Sequence, residues 1–302
     1  MKTTVDHLPE GKRRELQWVL EVLFREFEEA TKRKASPRGQ GRILKVVLFG
    51  SYARGDWVDD PIGGYKSDYD LLIVVNHDDF TEVTEYWMDA EAHLEQAFDI
   101  AHMLSAPAHF IVHSLADVNR QLTLGRPFFT GTVEEGVMLY ETPDHPFARP
   151  AKLSPEEAYR EAKANFTKWS RRSASALKIA RFALQEDELD DAAFLLHQAA
   201  ERLYHCTLLS QTLYSTKSHN LNFLRGQAER VAPELIPTWP RANRFEKRCW
   251  ELLRRAYVEA RFSDQYEITN EQLAWLVERV TDLQQRVEAS CRAYLAMIAP
   301  KA

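Results

Sequence analysis

Two aspartates one residue apart, Asp68 and Asp70, open an apolar run that continues through Leu71-Leu72-Ile73-Val74-Val75. On a strand, side chains at i and i+2 share a face, about 6.6 Å apart along the chain. Both carboxylates can then converge on one or two hard cations, while Tyr69 and Leu71 turn into the fold. Mg²⁺ takes carboxylates, water and substrate phosphates as ligands, so the pair is a candidate metal site. Upstream, the run Val46-Val47-Leu48-Phe49 ends in Gly50-Ser51, a turn whose backbone N–H groups can meet a phosphate. A cation site and a phosphate turn together point to phosphoryl or nucleotidyl transfer.

The order of these pieces carries a family pattern: an apolar run, Gly50-Ser51, Ala53-Arg54-Gly55, a spacer, then Ser67-Asp68-Tyr69-Asp70-Leu71. It resembles the minimal nucleotidyltransferase domain of the polymerase-beta type. The spacer, residues 52–66, is long, and Asp59-Asp60-Pro61 with Gly63-Gly64 suggests an added surface loop. The resemblance implies an α+β domain, a small mixed sheet flanked by helices. In it Asp68 and Asp70 are catalytic and hold Mg²⁺, and Gly50 and Ser51 bind the phosphates of an NTP. Arg54 either adds a charge-assisted contact there or forms a surface ion pair. The reaction implied is transfer of a nucleoside monophosphate, AMP from ATP, to a hydroxyl acceptor on a small molecule, a protein or RNA. The family also places a third acid on a following strand. Here that segment reads Ala108-His-Phe-Ile-Val-His113, and His109 and His113 are read as polar strand residues.

Composition bounds the rest. The 302 residues suffice for two domains, each with its own core. With 45 acidic against 39 basic residues, bulk charge gives no general affinity for nucleic acid, although local basic patches have room to exist. No run approaches the roughly 18 apolar residues that cross a bilayer, and the charged start MKTTVDHLPEGKRREL lacks a signal-peptide core. Cys206, Cys249 and Cys291 stand far apart with no CxxC pair, which argues against a zinc site and for reduced thiols in a cytoplasm.

The chain divides near residue 150, giving domains at 1–150 and 151–302. In the first, Leu16, Val19, Leu20, Leu23, Phe24 and Phe27 fall at helical spacing and predict a helix over 8–33. Strands are predicted at 43–49, 69–75 and 110–113, with a polar linker at 36–42. Helices are predicted at 78–104 and at 115–124, the latter ended by Gly125 and Pro127. Thr142-Pro143-Asp144-His145-Pro146 and Pro150 read as a linker. Beyond Ser154-Pro155-Glu156-Glu157, a strong helix start, strand signals cease. Helices are predicted at 155–185, 189–213, 241–262 and 270–297, an all-α helical bundle. The last carries Leu273, Leu276, Val280, Leu283, Val287 and Cys291 as a buried stripe.

Three segments of this half, Phe194–Tyr204, the loop 217–221 and Leu252–Phe262, resemble the HEPN domain, a helical bundle often joined to minimal nucleotidyltransferases. RNase-type members carry Arg, four to six residues, then His on one helix. Counting from Arg254 or Arg255, those positions hold Glu259, Ala260 and Arg261, so a ribonuclease reading is weak. Arg254, Tyr257 and Arg261 share a helix face and could bind a phosphate and stack a base, or Tyr257 could accept a nucleotide. The plain alternative is arginines paired with Glu251 or Asp264. His197, Glu201 and His205, each four apart, read as a polar groove with His219 opposite rather than a metal site. The resemblance also admits a homodimer through the helical bundle. Two other functions stay open: a catalytically slow, nucleotide-sensing or toxin–antitoxin-like regulator, and an aminoglycoside-type nucleotidyltransferase.

Overall fold

The computed structural model describes residues 1–32, 41–60, 65–216 and 218–300. Most of the expected 36–42 linker, Pro61 to Gly64 of the spacer loop, and Lys217 lie outside the described residues. The chain forms two compact units, Met1–Lys152 and Leu153–Ala302.

The first unit runs α1 (Glu10–Lys32), β1 (Ile43–Phe49), α2 (Ser51–Arg54), β2 (Asp59–Asp60), β3 (Tyr65–Lys66) and β4 (Tyr69–Val75). It continues α3 (Val83–Tyr86), α4 (Met88–Asp99), β5 (Ala108–Ser114), α5 (Leu115–Thr123), α6 (Pro127–Glu135) and β6 (Val137–Glu141). Four strands form one mixed sheet in the order β5-β4-β1-β6. β1 is antiparallel to β4 and β6, and β4 is parallel to β5. All seven residues of β1 and of β4 are buried, which is why both read as near-continuous apolar runs. β2 and β3 pair as a separate short ribbon.

Three elements differ from the sequence expectation. The helix expected over 78–104 is a 3-10 turn at Asp78–Thr81 followed by α3 and α4. Trp87 sits at the break, fully buried, its indole N–H donating to the Phe80 carbonyl at 2.7 Å. Burying that ring in the core outweighs one continuous helix. Pro127 does not only end a helix; it occupies the first turn of α6, where its missing N–H costs nothing. α6 then hands the chain to the edge strand β6 through Gly136, where an added Cβ would lie 2.3 Å from the Thr132 carbonyl oxygen.

The second unit is all helical: α7 (Pro155–Gln185), α8 (Leu189–Gln211), α9 (Leu221–Val231), α10 (Arg244–Arg255), α11 (Glu259–Phe262) and α12 (Asn270–Ile298). α8 packs against α7, α9 and α12, and the stripe of α12 is buried as its spacing requires. Ser154 and Thr269 cap α7 and α12, Thr269 in a reciprocal capping box with Gln272. The helix expected over 241–262 is two helices, broken at residues 256–258, and α9 was not expected. The three cysteines are buried and outside any disulfide. No helix among the described residues is long and apolar enough to cross a membrane.

Under the chemical motif lies an aromatic cluster. Tyr52 and Tyr69 are 1% and 0% exposed, with ring centroids 4.4 Å apart. Trp57 stacks on Tyr52 at 5.4 Å, and the Lys12 ammonium lies 5.3 Å and 5.5 Å from the two tyrosine rings. The Tyr69 hydroxyl donates to Glu15 of α1 at 2.8 Å. Tyr52→Ala is expected to cost about 3–5 kcal/mol of stability, the range for deleting a buried aromatic. A urea titration checks this through a lowered midpoint at unchanged slope.

Candidate active site

Tyr69 turns into the core, so strand alternation sends Asp68 and Asp70 to the opposite face of β4. Asp70 is fully buried and the Asp68 side chain is 15% exposed. Asp70 pairs in register with Phe49 on one side and with His109 on the other. Because Gly50 and Ser51 follow Phe49 directly, the sheet register brings the turn beside the carboxylates. Gly50 has φ 75° and ψ −153°, a backbone region open essentially to glycine alone. From it the chain enters α2, whose first helical bond runs from the Arg54 N–H to the Gly50 carbonyl at 3.2 Å. Gly55 closes the helix in the left-handed region, with φ 97°.

The donor set suits a hard cation. Mg²⁺ is ordinarily held by one or two carboxylates plus substrate phosphates and water, not by an all-protein cage. Two carboxylates on one face of a strand supply the protein's share. Among the described residues no group of three or more His, Cys, Asp or Glu side chains could hold a metal ion unaided. Ser51 fits a phosphate as well: its hydroxyl is buried and makes no hydrogen bond among the described residues. Buried hydroxyls normally have a partner, and a phosphate oxygen would provide one.

His109 is the residue that sequence reasoning undervalued. Its Nε2 lies 3.8 Å from Asp68 Oδ2, and it sits on the strand where the third acid of the family pattern belongs. The pattern marked the strand; only the parallel register of β4 and β5 shows the imidazole beside the carboxylates. His113 is engaged elsewhere, 2.7 Å from Asp117 Oδ2, and that hydrogen bond holds the Asp117 carboxyl well below the usual carboxylate range. Arg54 extends to Asp56 at 3.1 Å and to Glu135 at 3.9 Å, a surface ion pair.

In the helical unit two clusters that the sequence separates are one. Arg254 is tied to Glu251 through two hydrogen bonds of 2.7 Å and 3.0 Å. Tyr257 and Arg261 stay together, the guanidinium 4.7 Å from the tyrosine ring and 4.8 Å from Phe194. His219 stacks on Tyr257 at 4.1 Å and reaches Glu201 at 2.9 Å. His197 lies 3.5 Å from the same carboxylate, and His205 3.8 Å. The Leu253 carbonyl accepts from His197 Nδ1 at 2.9 Å, which fixes that proton on Nδ1. Burial alone would raise the Glu201 pKa, but His197 and His219 outweigh it and hold the carboxyl at about 2.

Fold and site thus define a nucleotidyltransferase-type α+β domain carried with a helical bundle. Residues 33–120 match the family model for polymerase beta nucleotidyltransferases, and residues 166–290 match that of the HEPN domain. Over 120 residues the chain is 32% identical to a protein of Methanocaldococcus jannaschii that carries the provisional name protein adenylyltransferase. That match takes in 40% of this chain and 97% of the relative. The chain belongs to the polymerase-beta-type nucleotidyltransferases, here with a C-terminal HEPN domain.

The Glu201 cluster gives a pH signature. A carboxyl whose folded pKa is depressed stabilises the fold fully above its unfolded pKa, about 4.3, and loses that contribution as pH falls toward 2. Melting temperatures between pH 6 and pH 2.5 should therefore fall more steeply for the wild type than for Glu201→Gln.

Proposed function

We propose that this chain transfers AMP from ATP to a hydroxyl acceptor on a protein. The observation that carries this reading is the shared face of Asp68 and Asp70 beside a Gly50-Ser51 turn whose buried hydroxyl lacks a partner. Gly50 lets the backbone approach the triphosphate closely, and Ser51 donates its hydroxyl to a phosphate oxygen. Asp68 and Asp70 are the residues that would hold Mg²⁺, which when bound neutralises phosphate charge and aligns the leaving group. The acceptor oxygen forms a bond to the α-phosphorus as the bond to pyrophosphate breaks, and the hydroxyl proton passes to water. The buried sheet around Asp70 fixes both carboxylates before substrate arrives, and such preorganisation is a large part of transition-state stabilisation.

The acceptor class follows from the relative's name and from Tyr257. That tyrosine is partly exposed, and its hydroxyl makes no hydrogen bond among the described residues. It is the acceptor candidate within the chain, in the same or a second copy. The HEPN unit in this reading presents acceptor or nucleotide through Tyr257, Arg261 and His219.

Incubation with α-³²P-ATP and Mg²⁺ tests the proposal. Wild-type chain should label protein; Asp68→Asn and Asp70→Asn should each lose at least 100-fold, and Tyr257→Phe should lose self-labelling alone. Labelling that survives in both aspartate variants would contradict the site. Label appearing on an added aminoglycoside instead of protein would replace the acceptor class.

A further inference from the structure

α2 is a single helical turn, Ser51–Arg54, and one turn does not hold its shape by its own bonds. The Gly50 carbonyl accepts from the Arg54 N–H at 3.2 Å, and the Ser51 carbonyl accepts from Gly55 at 2.8 Å and Asp56 at 3.1 Å. The next two carbonyls, of Tyr52 and Ala53, belong to the end that a helix leaves without partners of its own. Side chains from far upstream take both. His7 Nε2 donates to the Tyr52 oxygen at 2.7 Å, and Lys2 Nζ donates to the Ala53 oxygen at 3.0 Å. A carbonyl only accepts, so the His7 proton sits on Nε2. Lysine and histidine donors at this end also complement the helix dipole.

The segment that carries them is fastened at both ends. Lys2 bridges Val137 of β6 in parallel, its N–H donating to the Gly136 carbonyl at 3.0 Å and its own carbonyl accepting from Met138 at 2.9 Å. Leu8, 2% exposed, is buried in the same core as Tyr52 and Ala53. Residues 2–8 therefore pass from the edge strand to the start of α1 by way of the C-terminal end of α2. They lie outside residues 33–120, so the family pattern gives them no role.

Lys2 and His7 are exposed, and water can replace either bond when the side chain is cut back. Little global stability rests on them. What water cannot supply is a fixed direction for α2. Tyr52 is held twice, through its ring by Tyr69 at 4.4 Å and through its carbonyl by His7. Ser51, the residue before it, takes its place from both holds.

We propose that Lys2 and His7 are positioning residues for nucleotidyl transfer, holding α2 so that Ser51 and its turn meet the triphosphate. The proposal rests on the reading of Asp68, Asp70 and Gly50-Ser51 as the transfer site. A misplacement of about 1 Å in a substrate-binding group can cost about 100-fold in rate, so a loosened turn costs activity out of proportion to stability. The test compares wild type, Lys2→Ala/His7→Ala and Lys2→Arg/His7→Gln, which keeps both donors. Three quantities are read on each: labelling from α-³²P-ATP, affinity for Mg²⁺ with an α,β-methylene analogue of ATP, and hydrogen exchange of the peptide 49–57. The alanine variant should lose at least 10-fold in labelling and at least 5-fold in affinity. Its 49–57 amides should exchange faster, while its melting temperature stays within about 3 °C of wild type. The Arg/Gln variant should restore all three. Unchanged exchange at 49–57, or faster exchange with unaltered labelling and affinity, would overturn the proposal and leave the transfer site standing. A wild type that neither labels nor binds the analogue would overturn both.

Discussion

The contact between Tyr52 and Tyr69 ties together the two halves of the candidate active site. Tyr52 follows Ser51, and Tyr69 lies between Asp68 and Asp70, so their packing fixes the phosphate turn to the carboxylate strand from below. Strand alternation converts Tyr69's burial into a fixed orientation for both aspartates, since a residue cannot face the core without its neighbours facing away. Glu15 extends the constraint to α1, accepting from the Tyr69 hydroxyl and from Ser105. The site therefore rests on rigid elements, with Gly50 and Gly55 carrying the backbone through positive φ at the two ends of α2.

His109 gives this site its own character. The family pattern leads one to expect a carboxylate on that strand, and an imidazole stands there instead, next to Asp70 in register. A site with two carboxylates carries less negative charge than one with three, so in the proposed reaction substrate phosphates would supply more of a bound cation's shell. The helical unit shows a comparable economy: Glu201 collects three imidazoles, and one of them, His219, doubles as a stacking partner for Tyr257.

Much of this was legible in the residues. β1 and β4 could be read to their ends because both are fully buried apolar runs bounded by glycine or charge. α7 could be read because Ser154-Pro155 starts it and no proline interrupts it. The helix over 78–104 could not, because the break at Trp87 is decided by where its ring is buried, a tertiary fact. β6 escaped for a related reason: only its first residue is buried, so an edge strand of five residues shows little alternation. In the candidate site, the Asp68-x-Asp70 spacing, the Gly50-Ser51 turn and the family pattern they carry marked positions that the sheet register places side by side. The joining of His219 to Tyr257 did not, because it depends on how α8, its following loop and the α10–α11 break meet.

In the proposed reaction Asp68 and Asp70 form a cation site that a nucleoside triphosphate completes. Its most direct test is Mn²⁺ binding followed by electron paramagnetic resonance, with and without an α,β-methylene analogue of ATP. Weak binding to the protein alone, at least tenfold tighter with the analogue and lost in a folded Asp70→Asn variant, is the expected result. Equal Mn²⁺ affinity in wild type and variant, or indifference to the analogue, would contradict it.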